Sequence, residues 1–215
     1  MNSKLFGIYG ASGFGREVLP LVRNLISNED KIVFIDDNKT VEILNNIQVL
    51  SFDEFLVSDF SEKKITIAIA DSKTRENIVN KLIENNIDSF DVIANNVIVM
   101  DDINIDEGYI LTPHVTLTSN ISIGKYFHAN LYSYVAHDCV IGDYVTFAPS
   151  VKCNGNVHIE DHAYIGTGAI IKQGKPNKPL IIGKGAVVGM GAVVTKNVKA
   201  GDVVFGNPAK SLKRG

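Results

Sequence analysis

Every sixth residue from Ile105 is apolar or a thiol: Leu111, Leu117, Ile123, Ala129, Val135, Ile141, Phe147, Cys153, Ile159, Ile165 and Ile171 follow without a polar interruption. Two places before each anchor stand mostly β-branched, aromatic or small residues, such as Val115, Ile121, Phe127, Ser133, Cys139 and Val145. Glycine often follows the anchor, as at Gly124, Gly142, Gly166, Gly183 and Gly189. The run slips once, with eleven residues rather than twelve between Ile171 and Ile182 across KQGKPNKPL, and resumes at Val188 and Val194. A fixed period of six with apolar anchors predicts a parallel β-helix. Each hexad supplies a short strand and a corner, three hexads close one coil, and the anchors fill the prism. About five coils are expected, stacked roughly 4.8 Å apart.

The first 95 residues carry different periods. KLFGIY (4–9), KIVFIDD (31–37), KITIAIA (64–70) and SFDVIA (89–94) read as strands. GFGREVLPLVRNLI (13–26) reads as a helix despite Pro20, and SKTRENIVNKLIENN (72–86) as another with Ser72 as its N-cap. This alternation predicts a small Rossmann-like βαβ domain over residues 1–95, followed by the β-helix over 96–215.

A net charge of −3 offers no basic footprint, so nucleic acid is not an expected partner. Two cysteines without CxxC spacing argue against a zinc ribbon and fit a reducing compartment. The opening MNSKLFGIYGASG has no apolar stretch of signal or membrane-spanning length. A cytoplasmic protein without a membrane partner is expected.

Two motifs carry candidate chemistry. YGASGFGRE (Tyr9 to Glu17) joins a strand to a helix. Its Gly10, Gly13 and Gly15 allow backbone N–H groups to approach a phosphate at the helix N-terminus. Asp36 and Asp37 end the next strand, about twenty residues on, where a ribose or base would be met. The spacing is GxxGxG rather than the dinucleotide GxGxxG, and a tight turn without ligand is the alternative. The second motif is YSYVAHDC, Tyr132 to Cys139. With Val135 pointing inward, His137 and Asp138 fall on a corner, where neighbours need not alternate faces. His114 and His162 fall on corners too, whereas His128 and His158 fall mid-strand on the outer face. Spacing alone leaves His137 as either a base oriented by Asp138 or a solvated corner histidine. Imidazole, titrating near pH 6.5, suits a base that takes a proton from an amine. Cys153, the rival nucleophile, occupies an anchor position and Cys139 lies in the inward set, so both read as inert core.

YGASGFGRE, YVAHDCVIGDYV and VKCNGN, with the hexads and GNPAK (Gly206 to Lys210), resemble the bacterial nucleotide-aminosugar N-acetyltransferases of the hexapeptide-repeat superfamily over nearly the whole chain. The resemblance implies a left-handed β-helix. It also implies acetyl-CoA as co-substrate, no metal, and N-acetylation of a nucleotide-linked 4-amino-4,6-dideoxyhexose such as perosamine or viosamine for surface glycan synthesis. His137 would be the general base, oriented by Asp138, with direct attack of the amine on the thioester. Gly10, Ser12, Gly13, Phe14 and Gly15, with Asp36 and Asp37, would meet the nucleotide and pyrophosphate, and Asp71 and Arg75 would be neighbours. Trimers would place the pantetheine arm between subunits, along Ile165–Lys172, including Thr167, Gly168 and Lys172, and Gly189 to Gly191. Some relatives carry a second histidine nine residues after the base. Thr146 stands there, which passes polarisation of the thioester to a backbone N–H such as that of Gly155. Lys172, Lys175, Lys178 and the C-terminal KSLKRG either meet coenzyme phosphates or are simply solvated.

No residue fixes the nucleotide; thymidine and guanosine diphosphates are both open, with thymidine slightly preferred. Other readings are a sialic acid O-acetyltransferase, a non-catalytic sugar-nucleotide scaffold, and a metal hydratase of the gamma carbonic anhydrase type. The last needs three converging histidines, and His128, His158 and His162 are not spaced by whole coils of eighteen.

Overall fold

A computed structural model describes residues 3–212. The chain divides between Val92 and Ile93 into two compact units. In the first, β1 (Leu5–Tyr9), β2 (Lys31–Ile35), β3 (Ile43–Leu44), β4 (Ile47–Leu50), β5 (Lys63–Ile67) and β6 (Asp88–Ser89) form one sheet in the order β3-β4-β2-β1-β5-β6. All its ladders are parallel except the β3–β4 hairpin. The hairpin turns on Asn45 and Asn46, whose φ values of 48° and 63° are those of a type I′ turn. Three helices connect the strands: α1 (Gly13–Leu25), α2 (Phe52–Val57) and α3 (Ser72–Glu84).

The first unit corrects several sequence expectations. The hairpin and α2 escaped the periodicity because each is too short to show one. Yet Ser51 and Glu54 close a reciprocal capping box at α2, a pattern legible in SFDE. Asp71, not Ser72, caps α3, its carboxylate accepting from the Thr74 N–H at 2.8 Å. SFDVIA is not one strand. Asp88–Ser89 ends the first sheet, with Phe90 donating its last ladder bond to the Ile65 carbonyl, and Val92–Ile93 belongs to a different sheet.

The second unit is a parallel β-helix of three faces. Face I carries strands such as His128–Ala129, Thr146–Phe147 and Tyr164–Ile165. Face II includes Tyr134–Val135, Lys152–Cys153 and Ile170–Ile171, and face III includes Val140–Ile141, Val157–Ile159 and Leu180–Ile182. Partners lie 18 residues apart, as in Tyr134↔Lys152 and Val140↔His158, so three hexads make a coil. The anchors from Leu111 to Val194 are at most 3% exposed and line one continuous core. Ile105, partly exposed, packs against it. After Ile171 the ladder continues with partners 23 residues apart, as in Val157↔Leu180. The slip in the sequence is thus a five-residue excursion, closed on itself by paired backbone bonds between Lys175 and Lys178.

The corners explain the period. Every sixth residue from Asp102 to Gly168 has a φ between 53° and 78°. That left-handed conformation reverses the chain at each corner and stacks equivalent corners in columns. Tyr126, Tyr144 and His162 stack ring on ring at 5.4 and 5.1 Å, and His114 stacks on Tyr132 at 4.8 Å.

Candidate active site

His137 and Asp138 lie on a corner between faces II and III. Asp138 is one of the left-handed residues, φ 59°, a conformation aspartate tolerates better than most. That turn brings two consecutive side chains to the same side. His137 Nδ1 lies 2.7 Å from Asp138 Oδ2, and both side chains are about half exposed. The network therefore assigns the proton to Nδ1 and leaves the Nε2 lone pair free. The imidazole, and after it the Asn120 amide, hold the Asp138 carboxyl below its usual range despite some desolvation. Asp138 is thus charged near neutral pH.

The adjacent coils hold the dyad from both sides. On one side, Asp138 donates its N–H to Ser119 O at 3.1 Å, and Asn120 Nδ2 donates to Asp138 Oδ1 at 3.3 Å. On the other, Asn156 donates its N–H to His137 O at 2.9 Å. Gly155 is the floor of the imidazole: a Cβ there would stand 2.5 Å from Cε1 and Nε2 of His137. Asn154, beside it, accepts from the Tyr134 hydroxyl at 2.9 Å and donates to Ile171 O at 2.7 Å. Asn120, Asn154 and Tyr134 were not singled out from the sequence. Stepping back one coil of eighteen from Asp138 lands on Asn120.

The cysteines are buried and free. Cys139 donates its thiol to Asn154 O at 3.3 Å, and its contact together with burial pushes the Cys153 thiol up, the wrong direction for a nucleophile. His114 and His162 stand in the aromatic columns. His128, mid-strand in the hexad, is fully buried. Among the described residues no group of three or more His, Cys, Asp or Glu side chains is arranged to hold a metal. Among them, too, no helix is long and apolar enough to cross a membrane.

The residues expected to meet acetyl-CoA fall on different corners. Gly155 shares His137's corner, and Lys172 begins the excursion that projects there. A cavity of about 460 Å³ lies between that excursion and the next coil, lined by Lys172, Lys175, Lys178 and Lys196. The excursion abuts the corner of His137, since Gly174 donates its N–H to Gly155 O at 3.0 Å. Thr167, Gly168, Gly189 and Gly191 lie instead beside the corner between faces I and II, and Thr146 is buried within face I. Gly168 and Gly191 have open space where a Cβ would be, but their N–H groups are bound to Pro149 O and Thr167 O. At Gly189 the space is filled by the ring of Phe205. One chain does not bring these glycines to His137. Of KSLKRG, Lys213, Arg214 and Gly215 lie outside the described residues.

In the first unit Gly10 takes φ 115°, and Gly15 packs its Cα against the Gly10 carbonyl, where no side chain fits. Ser12 and Gly13 are exposed at the head of α1, Phe14 is partly exposed, and the Ser12 hydroxyl makes no capping bond. Asp37 is engaged within the chain. Oδ1 accepts from Phe52 N at 2.9 Å, and Oδ2 accepts from Tyr9 Oη at 2.6 Å and Lys81 Nζ at 2.8 Å. Burial opposes its ionisation, but these donors outweigh it and hold its carboxyl low, while burial and Asp37 push the Tyr9 phenol up. Asp36 accepts from Asn38 N at 2.9 Å. Asp71 is the α3 cap. Arg75, fully buried, braces the loop before it through the Ile69 and Ala70 carbonyls at 2.7 and 3.2 Å.

An α/β region followed by stacked parallel strands is consistent with the left-handed β-helix acetyltransferases. Residues 6–82 match the PglD N-terminal domain family. The chain is 49% identical over 214 residues to the GDP-perosamine N-acetyltransferase of Escherichia coli O157:H7, covering 98% of this chain and 97% of that one. The structure of WeeI from Acinetobacter baumannii AYE matches with a TM-score of 0.95 at 58% identity, over 98% of this chain and 100% of that one. The acetyltransferase domain of PglB from Neisseria gonorrhoeae FA1090, in complex with acetyl coenzyme A, matches at 0.86 with 27% identity, over 99% and 100%. The chain belongs to the bacterial nucleotide-aminosugar N-acetyltransferases of the hexapeptide-repeat superfamily. It is a sugar N-acetyltransferase.

Proposed function

We propose that the protein transfers the acetyl group of acetyl-CoA to the 4-amino group of a nucleotide-linked 4-amino-4,6-dideoxyhexose, with His137 as general base. The observation that carries this reading is the 2.7 Å bond from His137 to Asp138 on a ring seated over Gly155. In the mechanism the free amine attacks the thioester carbonyl. The C–N bond forms, His137 Nε2 takes the amine proton, and collapse breaks the C–S bond. The imidazolium then returns the proton to the departing coenzyme thiolate. No acyl-enzyme is needed, consistent with the burial of both cysteines.

The exposed first turn of α1, behind Gly10, Ser12, Gly13 and Phe14, would receive the pyrophosphate. Asp36 is better placed than Asp37 to meet the nucleotide, since both Asp37 oxygens already have donors. The relative named for GDP-perosamine moves the preference among nucleotides from thymidine to guanosine. The separation of the I/II-corner glycines from His137 supports a homotrimer, in which one chain's coenzyme-binding corner meets the next chain's base.

Thiol release from acetyl-CoA with GDP-linked and dTDP-linked 4-amino-4,6-dideoxyhexoses, run beside His137→Ala, tests the reading. Release with one sugar that is lost in the variant is expected. Release that survives the substitution removes His137 from its role, and no release with either sugar overturns the substrate class.

A further inference from the structure

We propose that Asn120 is a positioning residue for proton transfer: from the neighbouring coil it fixes the carboxylate of Asp138, so that the imidazole of His137 keeps one tautomer and one plane. The inference rests on the reading of His137 as the base.

Asn120 occupies the same column as Asp138, one coil away, and shares its left-handed conformation, with φ 55° against 59°. This is where the fold makes side chains of successive coils meet. In the other columns rings stack at Tyr126, Tyr144 and His162 and at His114 and Tyr132; here the contact is an amide on a carboxylate, Nδ2 to Oδ1 at 3.3 Å. Asp138 Oδ2 is engaged by His137 Nδ1 at 2.7 Å. A half-exposed carboxylate with one partner turns about its broad, soft χ2 torsion. With a donor on each oxygen that rotation is closed, and the plane of the imidazole is set with it. The dyad's backbone is fastened by the same neighbours, through Ser119 O and the Asn156 N–H.

The other titratable groups around the dyad have separate tasks. The Cys139 thiol lies 3.7 Å from the His137 carbonyl and points into the core, and the Tyr134 hydroxyl is engaged by Asn154. The excursion with Lys175 and Lys178 adjoins Gly155. Among the described residues, the Asp138 carboxylate is hydrogen-bonded by His137 and Asn120.

Two substitutions separate positioning from corner geometry. Asn120→Gly keeps the left-handed backbone without strain and removes the amide. Asn120→Asp keeps the shape and sets a second carboxylate beside the first. Steady-state thiol release would be followed from pH 5.5 to 9 for both, with the wild type and His137→Gln. For Asn120→Gly, kcat should fall about tenfold, with both KM values within about twofold and the melting temperature unchanged. For Asn120→Asp, the acid limb of kcat/KM should move upward by about one pH unit, because the added negative charge favours the imidazolium. An inactive His137→Gln beside an Asn120→Gly of wild-type kcat and an Asn120→Asp with an unshifted profile would make Asn120 a corner residue only. An active His137→Gln would remove the base, and this inference with it.

Discussion

The two units meet the same backbone demand in opposite ways. In the first unit, positive φ falls to Gly10, Asn45, Asn46 and Asn86, the residue types that bear it at least cost. In the β-helix it recurs at every sixth residue, and histidine, tyrosine and serine take it at His114, Tyr126, Tyr132, Tyr144, Ser150 and His162. The difference is the neighbour. A turn in the first unit stands by itself, whereas a β-helix corner lies against another on the next coil, so a side chain there can offset the conformational cost by stacking, as Tyr126, Tyr144 and His162 do, or by hydrogen bonding, as Asn120 and Asp138 do. Asp138 is one rung of such a column. The candidate chemistry therefore occupies positions the core does not need, and a corner can change its residues without disturbing the anchors beneath it.

The sharpest test of this separation is in the prism. Phe147→Ala, which removes a ring packed edge-on to Phe127 at 5.2 Å, should cost about 3–5 kcal/mol. Phe34→Ala in the first sheet should cost a similar amount, since its side chain is also fully buried. The two should part in hydrogen exchange. Because each coil touches only its neighbours, protection lost on Phe147→Ala should be confined to adjacent coils, whereas Phe34→Ala should expose the whole first sheet. Uniform loss of protection in both would contradict the picture of a one-dimensional stack.

Next in size is Gly155→Ala. The new methyl would displace the imidazole without touching an anchor, so kcat should fall about 100-fold with little change in melting temperature. A melting point lowered by many degrees would place Gly155 in the stability of the coil instead.

Acid should divide the units more gently. Asp30, Glu54 and Glu62 in the first unit are held low mainly by hydrogen-bond donors, and Asp37 by donors that outweigh its burial. A carboxyl lowered in the folded state stabilises above its unfolded value, near pH 4, and that stability is lost as pH falls through the folded value. In the second unit Asp138 and Asp161 are the lowered carboxyls described. On titration below about pH 4 the first unit should therefore lose structure before the β-helix, as circular dichroism and residue-resolved exchange would show. Simultaneous loss would mean that the units are not separately stabilised.

The smallest effect is expected at Ser150, a left-handed corner. Ser150→Gly should raise stability by about 0.5 kcal/mol, the relief of φ 62° exceeding the added freedom of the unfolded chain.

The anchors of the β-helix were legible because one residue type recurs at one spacing, and the structure buries them. The site was legible only in part. Gly155 could be named from its motif, but its part as floor of the imidazole depends on which coil lies next to His137. Asn120 was missed because its partner is eighteen residues away and a lone asparagine carries no signal. Asp37 looked open as one of an acidic pair at a strand end, yet Tyr9, Lys81 and Phe52 converge on it from three other elements. The burial of His128 was equally hidden, since a hexad frame says which way a side chain points and not what covers it.

The excursion after Ile171 shows how the coil keeps count. Five extra residues leave at one corner and return to it, and the ladder before and after them is in the same phase. Register is thus carried by pairing and not by the number of residues in the chain. Each corner is in effect a splice point, where a segment of arbitrary length can be inserted or trimmed as long as its two ends meet. New surface can be added beside the histidine–aspartate corner without the prism having to be designed again.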